Sequence, residues 1–327
     1  MIDLVSIIKA AVLNGTPLLF GTSGEILTQK SGNMNLGVEG LMFMGGSFGL
    51  AGAYIYSNMA GNNAKGYMAI IIALACAFIA GVIGALIFSF LTVSLKANQN
   101  VTGLALTIFG TGVGQFVGEI MRIRIGGNVT IPNNLKNAFV EPVMPLFLRK
   151  IPVIGEALFS YNIVVYLGIV MVVIMSYFLH KTRKGLNLRA VGESAATADA
   201  AGINVSLYRY LATCIGGGIS AVGGMVYIMT ISGCVWNYSA LSGEGWIAVA
   251  LVIFCFWKPL NALFGSILFG ALLILYLKVP LAFLPTQIYK ILPYVATIIV
   301  LIFVSMKQKK KNQPPQGLGV NYFREDR

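Results

Sequence analysis

Charge is what this chain has least of. Only 10% of its 327 residues are Asp, Glu, Lys or Arg, where a soluble globular chain carries about 25%. Such a sequence cannot cover a water-facing surface, which excludes a soluble enzyme and a disordered chain. Histidine is nearly absent too. The one imidazole, His180, closes an apolar run and has no obvious partner for a metal site or a catalytic triad. The four cysteines, Cys76, Cys214, Cys234 and Cys255, lie far apart in apolar stretches without a CxxC spacing. They read as small packing residues with inert thiols, so a disulfide scaffold is excluded as well. No GxxxxGKS or GxxxxGKT occurs, so the chain has no phosphate-cradling loop of its own.

What is present is apolar. Hydrophobic residues make up 57% of the chain, and glycine contributes 38 positions. Glycine is more frequent in membrane helices than in soluble ones. The net charge of +12 reads as membrane topology rather than nucleic-acid binding, because basic residues collect in cytoplasmic loops. A membrane helix needs about 20 apolar residues. The stretches between charges supply such windows. Lys65 to Lys96 leaves 30 residues, Glu39 to Lys65 leaves 25, Glu156 to His180 leaves 23 and Lys96 to Glu119 leaves 22. Arg209 to Glu244 leaves 34, too many for one straight helix, whereas Glu244 to Lys258 leaves only 13. Shorter windows follow Lys9, Lys258 and Lys290. The pattern predicts an all-α polytopic membrane protein with about nine to ten transmembrane helices, some broken or re-entrant. The first apolar run continues past Asp3 and Lys9 and reads as a membrane segment rather than a removable signal.

Three polar stretches punctuate these runs. Residues 121–156 contain Gly, Asn and four Pro, which argues against a span. Residues 181–206 form a polar insertion. Residues 307–327 form a basic tail whose Pro314 and Pro315 predict an unstructured end. The tail carries six basic residues and 181–209 carries five, so both are expected in the cytoplasm. Counting back puts loop 121–156 outside, although it too has five basic residues.

Four constellations carry chemistry. The first holds Glu25, Asn33, Asn35 and Glu39 beside or inside apolar segments. Ionisable groups at membrane depth face protein interior or water; the alternative is that the carboxylates cap helix ends. The second is Asn98 and Asn100, running into Thr107, Thr111 and Gln115. Gly110, Gly114 and Gly118 form a double GxxxG beside them. That pattern is a close-packing face, with a polar lining of a solute path as the functional reading. The third is Trp236 and Asn237, then Glu244, which reads as an interfacial aromatic belt or the border of a cavity. The fourth runs from Gly192 and Glu193 through Ala195, Asp199 and Ala201 to Gly202 and Ile203. It reads as a short, capped, exposed helix, the form a docking element takes.

These residues resemble a known family. The segments GEILTQKSGNMNLGVEGLM, GESAATADAAGINV, SGEGWIAVALVIF and KPLNALFGSILFG are similar, in that order, to permease subunits of ABC importers of the ribose/branched-chain amino acid superfamily. The nearest likeness is the nucleoside/simple-sugar branch, whose partner is a basic-membrane-protein-type lipoprotein. The family often has Glu-Arg where this chain has Gln29-Lys30. The resemblance implies a single transmembrane permease domain over 1–306, with a cytoplasmic coupling loop at 181–206, an outer loop at 121–156 and a basic cytoplasmic tail at 307–327. It implies that 195–203 matches the coupling helix, which seats in a groove of a separate cytoplasmic ATPase. That partner would hold the ATP and magnesium; this chain would bind no cofactor or metal and hydrolyse nothing. A paralogous permease, or a second copy, and an extracytoplasmic solute-binding lipoprotein complete the implied assembly in the cytoplasmic membrane.

The expected function is therefore uptake of a nucleoside or a similar neutral, ribose-bearing solute, with riboflavin or a simple sugar as the alternative. A reading from another class is an ion-coupled secondary transporter using Glu25 or Glu39.

Overall fold

The computed structural model describes residues 4–149, 151, 154–278, 291–299, 302 and 313–324. Six helices are long and apolar enough to cross a membrane: Val5–Gln29, Val38–Asn63, Gly66–Ser94, Gln99–Ile125, Ile163–Lys181 and Val205–Ile231. Among the described residues no strand forms, and the extended pairing is an isolated bridge between Thr130 and Val235. The chain is an all-α, multi-pass membrane protein.

The spans follow from their composition. Helices α1 (Leu4–Gln29), α2 (Val38–Ala60), α3 (Gly66–Ser89) and α4 (Gln99–Ile125) succeed one another through short connections. Helix α4 starts at Asn98, whose side chain accepts the Asn100 and Val101 amides, and stops at Gly126, which takes a left-handed conformation (φ 70°). An Asn cap and a glycine stop are what helix ends with unpaired backbone groups favour. Residues 121–125 of the expected outer loop still belong to α4, because the left-handed stop comes only at Gly126. The rest of the 121–156 stretch is not a span and folds into α5 (Asn133–Val140), α6 (Leu146–Arg149) and α7 (Ile154–Phe159). Then α8 (Ile163–Lys181), capped by Asn162, crosses back to α9 (Arg183–Glu193) and α10 (Ala195–Ala200).

The 34-residue apolar window resolves as its length requires. Helix α11 (Val205–Val226) passes into a π-helical turn, Tyr227–Ile231, and the chain then runs without regular structure to 243. Next comes α12 (Glu244–Phe254). At 11 residues it is about 16 Å long, roughly half the hydrocarbon thickness. It is a broken span. Phe256 and Trp257, both at positive φ (56° and 54°), reverse the chain into α13 (Pro259–Lys278). Residues 291–299 are helical as well. The rest of the last apolar window and tail residues 303–312 lie outside the described residues.

Helix α1 crosses the centre, packed against α11, α12 and α13, while α11 also packs on α2 and α3. Glycine sets the closeness of these crossings. A Cβ on Gly110 would lie 2.6 Å from the Gly40 backbone, and one on Gly114 would lie 2.7 Å from the Phe43 backbone. The double GxxxG is thus a packing face, where dispersion between backbones replaces the missing hydrophobic drive between helices in lipid. Thr107, Thr111 and Gln115 flank it.

The bundle has two ends. One carries the turn 30–37, the starts of α4 and α11, and α9–α10: Gly192 lies against the Lys30 carbonyl and the 96–97 carbonyls meet Asn321. The other carries residues 126–140, where Ala138 meets Gly66 and Val129 accepts the Trp236 amide. Residues 313–324 lie at the first end, so the tail and the 181–206 segment share a side. Their order departs from the unstructured end that composition suggested, because tertiary hydrogen bonds hold them.

Replacing Gly110 by alanine should force α2 and α4 apart and lower stability by about 1–3 kcal/mol. Gly112, beside which a Cβ meets nothing within 4 Å, should accept alanine with no loss. Thermal unfolding of the two variants in detergent checks the difference.

Candidate functional site

Polar groups that the sequence scatters over more than 200 positions converge inside the apolar bundle. The first group forms where α1 ends. Glu25 is 1% exposed. Its Oε1 accepts the Gln29 Nε2 at 2.8 Å and the Asn35 amide at 3.2 Å. Gln29 Oε1 in turn accepts the Trp257 indole N–H at 2.6 Å. Asn35 Oδ1 takes the Gly37 amide at 2.8 Å, and Asn33 Nδ2 donates to Thr213 Oγ1 at 2.9 Å. These bonds tie the turn between α1 and α2 to α11 and to the reversal after α12. Lys30 borders this group on the α9 side. Burial pushes its ammonium below the usual lysine value, and Glu193 opposes that shift.

The second group lies at the start of α12. A helix that begins inside a bilayer exposes amide protons no water can satisfy. Glu39 supplies the acceptor. Its Oε1 takes the Gly243 amide at 2.7 Å, and its Oε2 takes the Gly245 and Trp246 amides at 2.6 and 3.3 Å. A carboxylate is the best match to a helix N-terminus, because the aligned peptide dipoles place partial positive charge there. Glu39 therefore does cap a helix, but the helix is α12, from a distant part of the chain. Glu244 opens α12, and its Oε2 is buried with no hydrogen-bond partner among the described residues. Tyr294 places its hydroxyl beside Gly243.

The third group follows α4. Thr107 Oγ1 donates to the Leu36 carbonyl at 2.9 Å, joining α4 to the α1–α2 turn, and Gln115 Nε2 donates to the Tyr238 carbonyl at 3.3 Å. Thr111 bonds only to the Thr107 carbonyl one turn back. Trp236 is buried against Gly118, and its indole N–H finds no partner among the described residues. The structure does not bring Asn98, Asn100 and Asn237 into this seam. All three are exposed. Asn98 caps α4, and Asn237 accepts the Ser239 amide in a local turn.

The fourth group lies at the tail end of the bundle. Helix α10 is six residues long. Ser194 caps it, accepting the Thr197 amide, and Gly202 (φ 81°) ends it as its amide meets the Asp199 carbonyl. Ile203 N–H returns to the Ala198 carbonyl. Gly192 lies under the Lys30 carbonyl, so no side chain fits there. Glu193, Ala201 and Gly202 are exposed, and Ala195 is half-buried. Of the α10 residues, Ala198 is buried.

Sequence reasoning missed Gln29, Thr213, Gln99 and Arg209, all of them buried. Gln29 and Gln99 sit in the short polar runs Thr28–Ser31 and Asn98–Asn100, and Arg209 and Thr213 stand in the apolar run that follows Val205.

Glu39→Gln leaves one acceptor oxygen for three amides. It should cost about 1–3 kcal/mol of stability, whereas Asn237→Ala should fall within about 0.5 kcal/mol of the parent. Unfolding of the purified variants measures both.

Residues 6–301 match the family described as branched-chain amino acid transport system / permease component. Three relatives align along nearly the full length. One, provisionally named as the glucose ABC transporter permease protein TsgC13 of Haloferax volcanii, is 32% identical over 340 residues, 98% of each chain. The nucleoside ABC transporter permease protein NupC of Lactococcus lactis subsp. cremoris is 32% identical, over 97% of this chain and 96% of its own. The guanosine ABC transporter permease protein NupQ of Bacillus subtilis is 32% identical with the same coverage. The polar seam and α10 fall inside the matched range, and this chain belongs to the branched-chain amino acid transport system permease family.

Proposed function

We propose that this chain is the translocation subunit of an ATP-driven importer for a nucleoside or a similarly neutral, ribose-bearing solute. The single observation that carries the reading is α10: a six-residue helix, capped at both ends and exposed on one end of the bundle, within a chain of the permease family. A short rigid helix of that kind transmits force to a partner. In this reading the partner is a separate ATPase, which holds the ATP and magnesium. Residues 181–206 and the C-terminal tail then face the cytoplasm, and 121–156 faces outward toward a solute-binding lipoprotein. A paralogous permease, or a second copy of this chain, completes the path.

The interior supports an uncharged polar solute. Among the described residues nine buried side-chain atoms lack hydrogen-bond partners, and four of them belong to the seam: the acceptors Glu244 Oε2 and Asn33 Oδ1, and the donors Asn35 Nδ2 and Trp236 Nε1. Buried polar atoms without partners are costly, and ribose hydroxyls or base amide groups would satisfy both kinds. The relatives named for nucleoside and guanosine transport favour a nucleoside. The relative named for glucose favours a simple sugar as the second reading.

Two measurements test this. Cells lacking the gene should lose uptake of a radiolabelled nucleoside, and excess cold nucleoside, but not riboflavin or ribose, should compete in the parent. Unchanged uptake removes the nucleoside assignment, and competition by ribose alone moves it to a sugar. Removing residues 194–201 should abolish co-purification of the ATPase while the permease stays in the membrane; normal co-purification removes the docking role of α10. Glu244→Gln should raise KM for the solute about tenfold, the factor of one hydrogen bond to a charged group, with normal assembly.

A further inference from the structure

The end of the chain is tied to every element around α10. Gln316 N–H meets Glu193 Oε2 at 3.3 Å, and Gly317 N–H meets the Gly192 carbonyl at 2.9 Å. Gly319, at φ 78°, donates its amide to the Gly32 carbonyl at 3.0 Å. The Val320 carbonyl accepts from Arg209 Nη1 at 3.1 Å. Asn321 Nδ2 donates to the Lys96 and Ala97 carbonyls at 2.6 and 3.2 Å, and its Oδ1 accepts from Gln99 Nε2 at 3.2 Å. Tyr322 donates its hydroxyl proton to Asp199 Oδ2 at 2.6 Å, and Arg324 stands 3.4 Å from the same oxygen. In seven residues, 316–322, the strap bonds to the end of α9, the α1–α2 turn, α11, the α3–α4 turn and α10.

Two of these bonds form a continuous route. Gln99 uses its other end, Oε1, to accept the Met34 amide at 2.7 Å. Met34 lies between Asn33 and Asn35, the turn that holds Glu25. So α10 connects through Asp199, Tyr322, Asn321, Gln99 and Met34 to the polar seam inside the bundle. The apolar packing of α10 lies in one small cluster. Ala198 is its one buried residue, packed with Val191 and Val205 and touched by Tyr322. Beside it opens a cavity of about 500 Å³, bordered by Lys96, Asp199, Ile203, Asn204, Tyr322 and Arg324. The far wall is under tension of its own: Lys96 adopts φ 57°, a left-handed conformation that costs a side-chain-bearing residue roughly 1–2 kcal/mol. Asn321 holds its carbonyl.

We propose that Asn321 and Tyr322 are positioning residues of the transport cycle, and that the strap 316–324 carries movement of α10 to the turn between α1 and α2. This rests on α10 being the element that meets the ATPase. Ala195 and Ala198 seat α10 on one small apolar cluster, and the strap adds its polar tie toward the turn between α1 and α2. The strap converts a push on α10 into a displacement of residues 33–35, which carry the unpartnered Asn33 Oδ1 and Asn35 Nδ2. The Tyr322 hydroxyl bond to a carboxylate is of the charge-assisted kind, roughly twice as strong as a neutral one.

The experiment uses the full transporter, permease with its ATPase and binding protein, carrying Tyr322→Phe and Asn321→Ala together. Gln313→Ala, at an exposed position before the strap, is the control. The double variant should retain its ATPase at the parent ratio. Amides of residues 195–200 should exchange hydrogen about tenfold faster, the factor carried by one charge-assisted hydrogen bond. Labelled nucleoside moved per ATP hydrolysed should fall by a similar factor. Unchanged exchange would show that the strap does not hold α10 and overturns the proposal. Faster exchange with an unchanged nucleoside-to-ATP ratio overturns the transmission role. Loss of the ATPase from the double variant overturns it too, since the strap would then build the docking surface instead. Failure of the α10 reading itself appears separately, as retention of the ATPase after removal of 194–201.

Discussion

A backbone amide inside hydrocarbon has no water to bond, so every helix that starts at membrane depth must find an acceptor within the protein. The bond from Glu39 to the start of α12 answers that demand, and the core of this molecule is arranged around it. Because α12 is short, its N-terminus lies well inside the bundle. Because that terminus needs a negative charge, α2 must bring Glu39 to it. With α2 so placed, the turn 30–37 folds inward rather than spreading at the surface, and Glu25, Gln29, Asn33 and Asn35 become interior groups. The broken helix with its cap and the polar turn before α2 meet in one interior, the turn held by its own bonds to Thr213, Gln99 and Thr107.

The same economy governs the apolar contacts. In lipid, apolar side chains gain nothing by leaving one hydrocarbon environment for another, so helices associate through backbone proximity and internal hydrogen bonds. Gly110 against Gly40 and Gly216 against Gly24 provide the first. Asn33 to Thr213 and Ser220 to the Gly21 carbonyl provide the second. Close glycine crossings between α1, α2, α4 and α11 make a rigid frame. Helix α10, with one buried residue, stands exposed at one end of that frame.

Much of this was legible in particular residues. Glu25 and Glu39 stand in apolar surroundings, which marks them as interior or capping groups whatever the fold. Gly192, Ser194 and Gly202 bound an alanine-rich segment, and local capping chemistry alone specifies a short helix there. The double GxxxG after Asn98 announced a packing face. Other features were not legible. Glu39 meets Gly243 across 204 residues, and nothing local to either position encodes that pairing. Asn98 and Asn100 looked like path residues because they open a span, but the first turn of α4 lies at the end of the bundle, where Asn98 caps instead. The tail, rich in Gly, Pro and Lys, has a composition typical of unstructured ends. The order of residues 313–324 comes from hydrogen bonds made by Gln316, Gly317, Gly319, Val320, Asn321 and Tyr322 to residues more than 100 positions away.

The sequence by itself determined the medium, the helices and the short capped helix α10. Scarcity of charge forbids a soluble surface, apolar windows of 22 to 30 residues have the length to span hydrocarbon, and capping residues act within a few positions of themselves. Only the tertiary structure decided which carboxylate caps which helix, which polar groups meet in the interior and what the tail grips. Those contacts join positions far apart along the chain. Their energies depend on exclusion of water from the packed bundle, a condition that exists only once the helices have come together.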